Sequence, residues 1–95
     1  MLKGVTEKEY EIVLAILDKF PNAKFFAYGS RVKGGFSALS DLDILVKSEN
    51  FDEIISDLKY LFDQSYLPYV VNFADYNSID EKFYNLIKND LVEII

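Results

Sequence analysis

The 95-residue chain has no cysteine, no histidine and no tryptophan. Without cysteine there are no disulfides, no thiolate metal sites and no thiol nucleophile, and without histidine the usual zinc ligand and the usual general base are gone. Any chemistry therefore runs on carboxylates, hydroxyls and cations. Two prolines and four glycines leave no linker or low-complexity tract, and no internal repeat is present. No window approaches the roughly 20 apolar residues of a membrane span. Met1 to Val5 lacks the basic region and apolar run of a signal peptide, so a cytoplasmic protein with no membrane contact is expected. Basic residues are scarce in the second half: residues 1–48 hold seven Lys/Arg and six Asp/Glu, and residues 49–95 hold three and ten, for a net charge of -6. That balance opposes non-specific nucleic-acid binding, which needs a basic surface. It leaves one local cationic spot, around Lys24, Arg31 and Lys33, where a small anion could bind.

What is present is a core. Hydrophobic residues make up 51% of the chain and include eight Phe and seven Tyr, and 95 residues suffice for one domain but not two, so residues 1–95 are read as a single domain. Thr6 and Glu9 have capping-box spacing, and Tyr10, Val13, Leu14 and Leu17 follow at i, i+3, i+4 and i+7, which predicts a helix to about Phe20 before Pro21-Asn22. Lys24 to Tyr28 reads as a buried strand stopped by Gly29, Ser30 to Lys33 as a helical turn broken by Gly34-Gly35, and Asp41 to Val46 as a second strand. Phe51, Ile54, Ile55, Leu58, Leu61 and Phe62 share one helical face. Pro68 opens a third strand at about Tyr69 to Ala74, and Ser78 with Glu81 repeats the capping-box spacing before a last helix through Phe83, Leu86 and Ile87. The fold class is α/β (α+β): a short mixed sheet with helices packed against it. The tail from Leu91 to Ile95 is expected either to finish the core or to join an association surface, with the same chain or a partner.

The informative segment runs from Gly29 to Asp43. Gly29-Ser30 lies where a strand gives way to a helical turn, so free backbone N–H groups and a hydroxyl can face a phosphate, with Arg31 and Lys33 nearby. Asp41 and Asp43 are two apart in a predicted strand, so both carboxylates emerge on one face while Leu42 and Ile44 enter the other, and two like charges side by side invite a divalent cation. A P-loop is excluded because Gly35-Phe36 stands where Lys-Ser/Thr is required, and an EF-hand because Val46 takes the place of its turn glycine. Tyr28 and Phe36 read as packing residues, Asp75 as a turn residue and Asp80 as a first-turn helix charge.

Gly-Ser, ten intervening residues and Asp-x-Asp together resemble the signature of the nucleotidyltransferase superfamily that includes DNA polymerase beta, and the short length is similar to its minimal branch, MNT. The resemblance covers nearly the whole chain. It implies the polymerase beta-like fold, with Gly29, Ser30 and Arg31 at the nucleotide phosphates and Asp41 and Asp43 as catalytic metal ligands for two Mg²⁺ ions. It also implies ATP as substrate and AMP as the transferred group, the metals taking the place of the absent histidine base. Members commonly have a third acid in a strand before the last helix; here that stretch is Val71-Asn72-Phe73-Ala74-Asp75, so Asn72 takes the third ligand position with an oxygen but no charge, and Asp75 has the opposite parity. The resemblance further implies a HEPN-type toxin as partner, a tyrosine hydroxyl as acceptor and an antitoxin role in a prokaryotic toxin-antitoxin module. The alternative is an antitoxin of the same fold that neutralises its partner by contact, with catalysis weakened at Asn72. A third reading, transfer to a small molecule, has less support because the chain has no extra substrate domain.

Overall fold

A computed structural model describes residues 2–94. The chain order is α1 (Glu7–Leu17), β1 (Lys24–Tyr28), α2 (Ser30–Lys33), β2 (Leu42–Lys47), α3 (Phe51–Asp63), β3 (Val71–Asp75), α4 (Glu81–Ile87) and β4 (Val92–Glu93). The four strands form one mixed sheet in the order β3-β2-β1-β4, with β1 antiparallel to both neighbours and β2 parallel to β3. The parallel pair requires a crossover, and the amphipathic α3 supplies it. No helix among the described residues is long and apolar enough to cross a membrane.

Strand alternation gives the sheet two unlike faces. Phe25, Ala27, Leu42, Ile44 and Val46 are fully buried on one of them, where α1 contributes Val13, Ile16 and Leu17 and α3 contributes Leu58 and Phe62 to the same core. The capping box of α1 forms as its spacing predicts: Glu9 N–H donates to Thr6 Oγ1 at 3.2 Å, and Thr6 N–H to Glu9 Oε1 at 3.0 Å. Phe62 meets Phe73 of β3 with ring centroids 5.5 Å apart, which ties the crossover helix to the edge strand.

Three expectations are corrected. The first helix ends at Leu17, not near Phe20, and Asp18 caps it. The Ser78–Glu81 capping box does not form: Asp80 is the N-cap of α4 and accepts from Phe83 N–H at 2.7 Å, while Ser78 Oγ donates to Asp75 Oδ2 at 2.8 Å. Asp competes with Ser for caps on equal terms, and here the helix begins one residue after Asp80. A fourth strand also exists, since Val92 and Glu93 pair with Ala27 and Phe26 and bring the buried Ile94 to the core, whereas Ile95 lies outside the described residues. Asp75 is the last residue of β3, opposite Val46, and its carboxylate opens the expected turn by accepting from Asn77 N–H at 3.0 Å.

Candidate active site

Topology gathers the sequence motif at one end of the sheet. Antiparallel pairing sets Tyr28 of β1 opposite Asp43 of β2, and parallel pairing sets Asp43 opposite Asn72 of β3, so these three side chains form a row on the face away from the core. Leu42 and Ile44 are fully buried on the other face, as the alternation requires. Asp41 stands just before β2, and Gly29 follows directly on β1.

Asn72 is exposed, and its amide links the two carboxylates: Nδ2 donates to Asp41 Oδ2 at 2.8 Å and to Asp43 Oδ1 at 3.3 Å. Oxygens of both aspartates therefore converge on a single atom, the arrangement in which hard oxygen ligands suit a divalent cation. Among the described residues no group of three or more His, Cys, Asp or Glu comes together. A divalent ion here would thus be held by two carboxylates and, through the amide oxygen, by Asn72. The amide in its present orientation offers donors to the pair and offsets part of the repulsion between them.

The Gly29-Ser30 turn touches this cluster. Gly29 adopts φ 87° and ψ -163°, which opens the way into α2, and a Cβ there would lie 2.5 Å from Asp43 Oδ2. The amides of Val32 and Lys33 both return to the Gly29 carbonyl at 3.1 Å. The first amides of a helical turn have no partner within it, so those at Ser30 and Arg31 are the ones available to an anion beside the aspartates.

Arg31 lies elsewhere than the sequence suggests. Its side chain is buried, with 5% exposure, and the guanidinium is spent on backbone carbonyls and on the ring of Tyr69, 3.7 Å from its centroid. The backbone of Arg31 borders the turn, but its charge is directed away from it. Lys33 remains exposed. Sequence reasoning missed Gly4, whose missing side chain leaves room for Arg31: a Cβ at Gly4 would come within 2.8 Å of Arg31 Cα, Cβ and Cγ. It also missed Tyr69, which precedes β3 and donates its hydroxyl to Glu9 Oε1 at 2.9 Å. No residue-type pattern marks either one.

The electrostatics follow from partial burial. Asp43 has its pKa raised, chiefly by burial; the Asn72 hydrogen bond opposes the rise and the Asp41 charge adds to it. Tyr28 is raised by burial and then by the Asp43 charge, so it stays a neutral phenol. Burial and the hydrogen bond to Glu9 also push Tyr69 well above the usual phenol range, against the pull of Arg31. For Asp43 the folded-state pKa exceeds the unfolded one, so its contribution to stability is fully present below the unfolded value and is lost as pH rises through the folded value. Asp43→Asn is therefore expected to raise the thermal midpoint at neutral pH, with the gain closing as the pH falls to about 3, where both chains are uncharged at this position. Equal gains at both pH values, in parallel melts, would mean that charge is not the cause.

Residues 9–95 match the nucleotidyltransferase domain family. Over 93 residues the chain is 37% identical to the probable protein adenylyltransferase MntA of Haemophilus influenzae, a match covering 95% of this chain and 82% of that protein. A crystal structure of a protein from Sulfolobus solfataricus, assigned as a nucleotidyltransferase, aligns with a TM-score of 0.49 and 25% identity over 88% of this chain and 73% of that one.

Proposed function

The chain belongs to the nucleotidyltransferase domain family, and on that premise we propose that it transfers AMP from Mg²⁺-bound ATP to a hydroxyl of a partner protein. The observation that carries this reading is the convergence of Asp41 and Asp43 on one point beside the Gly29-Ser30 turn. In the transfer the acceptor oxygen bonds to the α-phosphorus, the bridge from the α- to the β-phosphate breaks, pyrophosphate leaves and the acceptor's proton passes to solvent water. When bound, magnesium supplies neutralisation of the phosphate charge and activation of the acceptor hydroxyl. Asp41 and Asp43 hold it, and the turn amides with the Ser30 hydroxyl orient the phosphates. A protein acceptor follows from the likeness to a relative named as a protein adenylyltransferase. The resemblance to minimal nucleotidyltransferases supports, as that acceptor, a tyrosine of a HEPN-type toxin, with this chain as the antitoxin of the pair.

A second reading is favoured by one observation: the third ligand position holds a neutral amide that already pairs with both carboxylates. On that reading the protein neutralises its partner by contact alone. One experiment separates the two: labelled AMP transfer from ATP to a HEPN-type toxin, with and without Mg²⁺, in the wild type and Asn72→Asp side by side. An enzyme labels the partner only with Mg²⁺, and Asn72→Asp labels it about tenfold faster, because a third carboxylate strengthens the hold on a hard cation. The same variant melts lower than the wild type without metal, since two attractive contacts become repulsive, and recovers on adding Mg²⁺. Inhibition of the toxin with no label in either chain would leave the contact-only reading standing.

A further inference from the structure

The two halves of the site, the Gly29-Ser30 turn and Asp41, are joined by a segment that has no regular structure after Lys33. Its own hydrogen bonds are local. Ser37 N–H donates to Ser40 Oγ at 2.9 Å, Ser40 N–H to the Ser37 carbonyl at 3.1 Å and Leu39 N–H to Ser37 Oγ at 3.3 Å. Such bonds shape the loop without fastening it to the sheet. Fastening comes from Arg31. Its Nε donates to the Ser40 carbonyl at 2.9 Å, and Nη2 donates to those of Ser37 at 3.2 Å and Ala38 at 3.3 Å. Nη1 meanwhile donates to the Gly4 carbonyl at 2.6 Å, and the Arg31 carbonyl accepts from Gly4 N–H at 2.7 Å. Tyr69 stacks against the guanidinium and is held in turn by Glu9 of α1, while Phe36 lies 5.4 Å from it. One side chain, rooted next to Ser30, thus grips the carbonyl of the residue that precedes Asp41.

We propose that Arg31 is the positioning residue of this site: by binding the Ser37, Ala38 and Ser40 carbonyls from a buried anchor on Gly4 and Tyr69, it fixes Asp41 beside Asp43. The proposal rests on the metal-dependent reading above for its functional meaning, though the positioning itself does not. A guanidinium suits the task because its planar fork reaches several carbonyls at once and stacks on an aromatic face. Lysine offers three donors from one point and does neither. All four side-chain hydrogen bonds go to neutral carbonyls, so the group works through geometry and dipoles, with no carboxylate taken from the site.

The test uses the full chain as Arg31→Lys, with Leu58→Ala as a control that destabilises the core from α3 without removing any of the Arg31 hydrogen bonds. Two readouts are taken. In metal-free protein, the Asn72 side-chain amide resonances report its bond to Asp41; they are expected to shift in Arg31→Lys and to stay put in Leu58→Ala. By calorimetric titration with Mn²⁺ alone, Arg31→Lys is expected to bind about tenfold more weakly than the wild type, the loss typical when support behind a metal ligand is removed, with Leu58→Ala unchanged. Unmoved Asn72 resonances and unchanged Mn²⁺ affinity in Arg31→Lys would overturn the proposal. A wild-type chain that binds no Mn²⁺, with Asn72 resonances that still move in Arg31→Lys, would remove the metal-dependent reading and leave the positioning role intact. If Arg31→Lys does not fold, Tyr69→Leu, which removes the stacking face together with the hydroxyl's bond to Glu9, is read by the same two measurements, with the same shift supporting the proposal and its absence refuting it.

Discussion

Asp43→Ala is expected to abolish AMP transfer, by about 10³-fold or more, in a chain that remains folded. The carboxylate is the centre of the row: it is paired with Tyr28 on one strand and Asn72 on the other, and it lies beside Gly29. On the proposed metal-dependent reading, removing it takes away one of the two charged groups that would hold a divalent ion whose charge stabilisation is worth several kcal/mol, and each 1.4 kcal/mol is tenfold in rate. Asp41→Ala should fall in the same range. Stability should not decline at Asp43, because the folded state already disfavours its ionised form. Asp75→Ala is the contrasting variant, since Asp75 caps a turn through Asn77 and Ser78 and should leave transfer within twofold of wild type. Single-turnover label transfer beside thermal melts measures all three. Transfer by Asp43→Ala within tenfold of the wild type would exclude the aspartate pair from the reaction.

Gly29→Ala should lose both activity and stability, for two separable reasons. At φ 87° and ψ -163° the backbone lies in a region that only glycine occupies readily, so any side chain costs about 1–3 kcal/mol. The added Cβ would also lie 2.5 Å from Asp43 Oδ2, which forces the carboxylate off its contact with Asn72 or the turn away from the sheet. Gly34→Ala isolates the first effect, because Gly34 has φ 107° but nothing within 4 Å of a Cβ. Both variants should melt lower than the wild type, while only Gly29→Ala loses transfer, by about a hundredfold or more given how steeply such reactions depend on placement of the reacting groups. Equal transfer in the two would mean that the turn does not need to lie against Asp43.

Several local signals in the sequence are expressed in the fold, although the Ser78–Glu81 spacing is not, because Asp80 takes the cap. The α1 capping box, the alternation through Leu42, Asp43 and Ile44, and the apolar face of α3 each depend on residues a few positions apart, and each forms, although β2 begins at Leu42 and leaves Asp41 just ahead of it. The location of Asn72 next to the aspartates was legible too, through strand parity combined with the family's pattern. The role of Arg31 was not, because a cation beside a phosphate turn has an obvious reading and its actual partners are carbonyls, which every residue carries. Neither was β4, two residues long, whose pairing with β1 draws on residues more than sixty positions away.

That last pairing is the one expected to form latest as the molecule assembles. The β1 and β2 pair and the β2, α3 and β3 crossover close over short or moderate stretches of chain, and they contribute Phe25, Ile44 and Leu58 to the core. The segment at Val92 to Ile94 can join only after β1 has a fixed register to receive it, at the entropic cost of closing a long loop for a few hydrogen bonds and one buried isoleucine. Until that segment joins, β1 is expected to present one edge unsatisfied, and its apolar and aromatic run could then pair with a foreign strand.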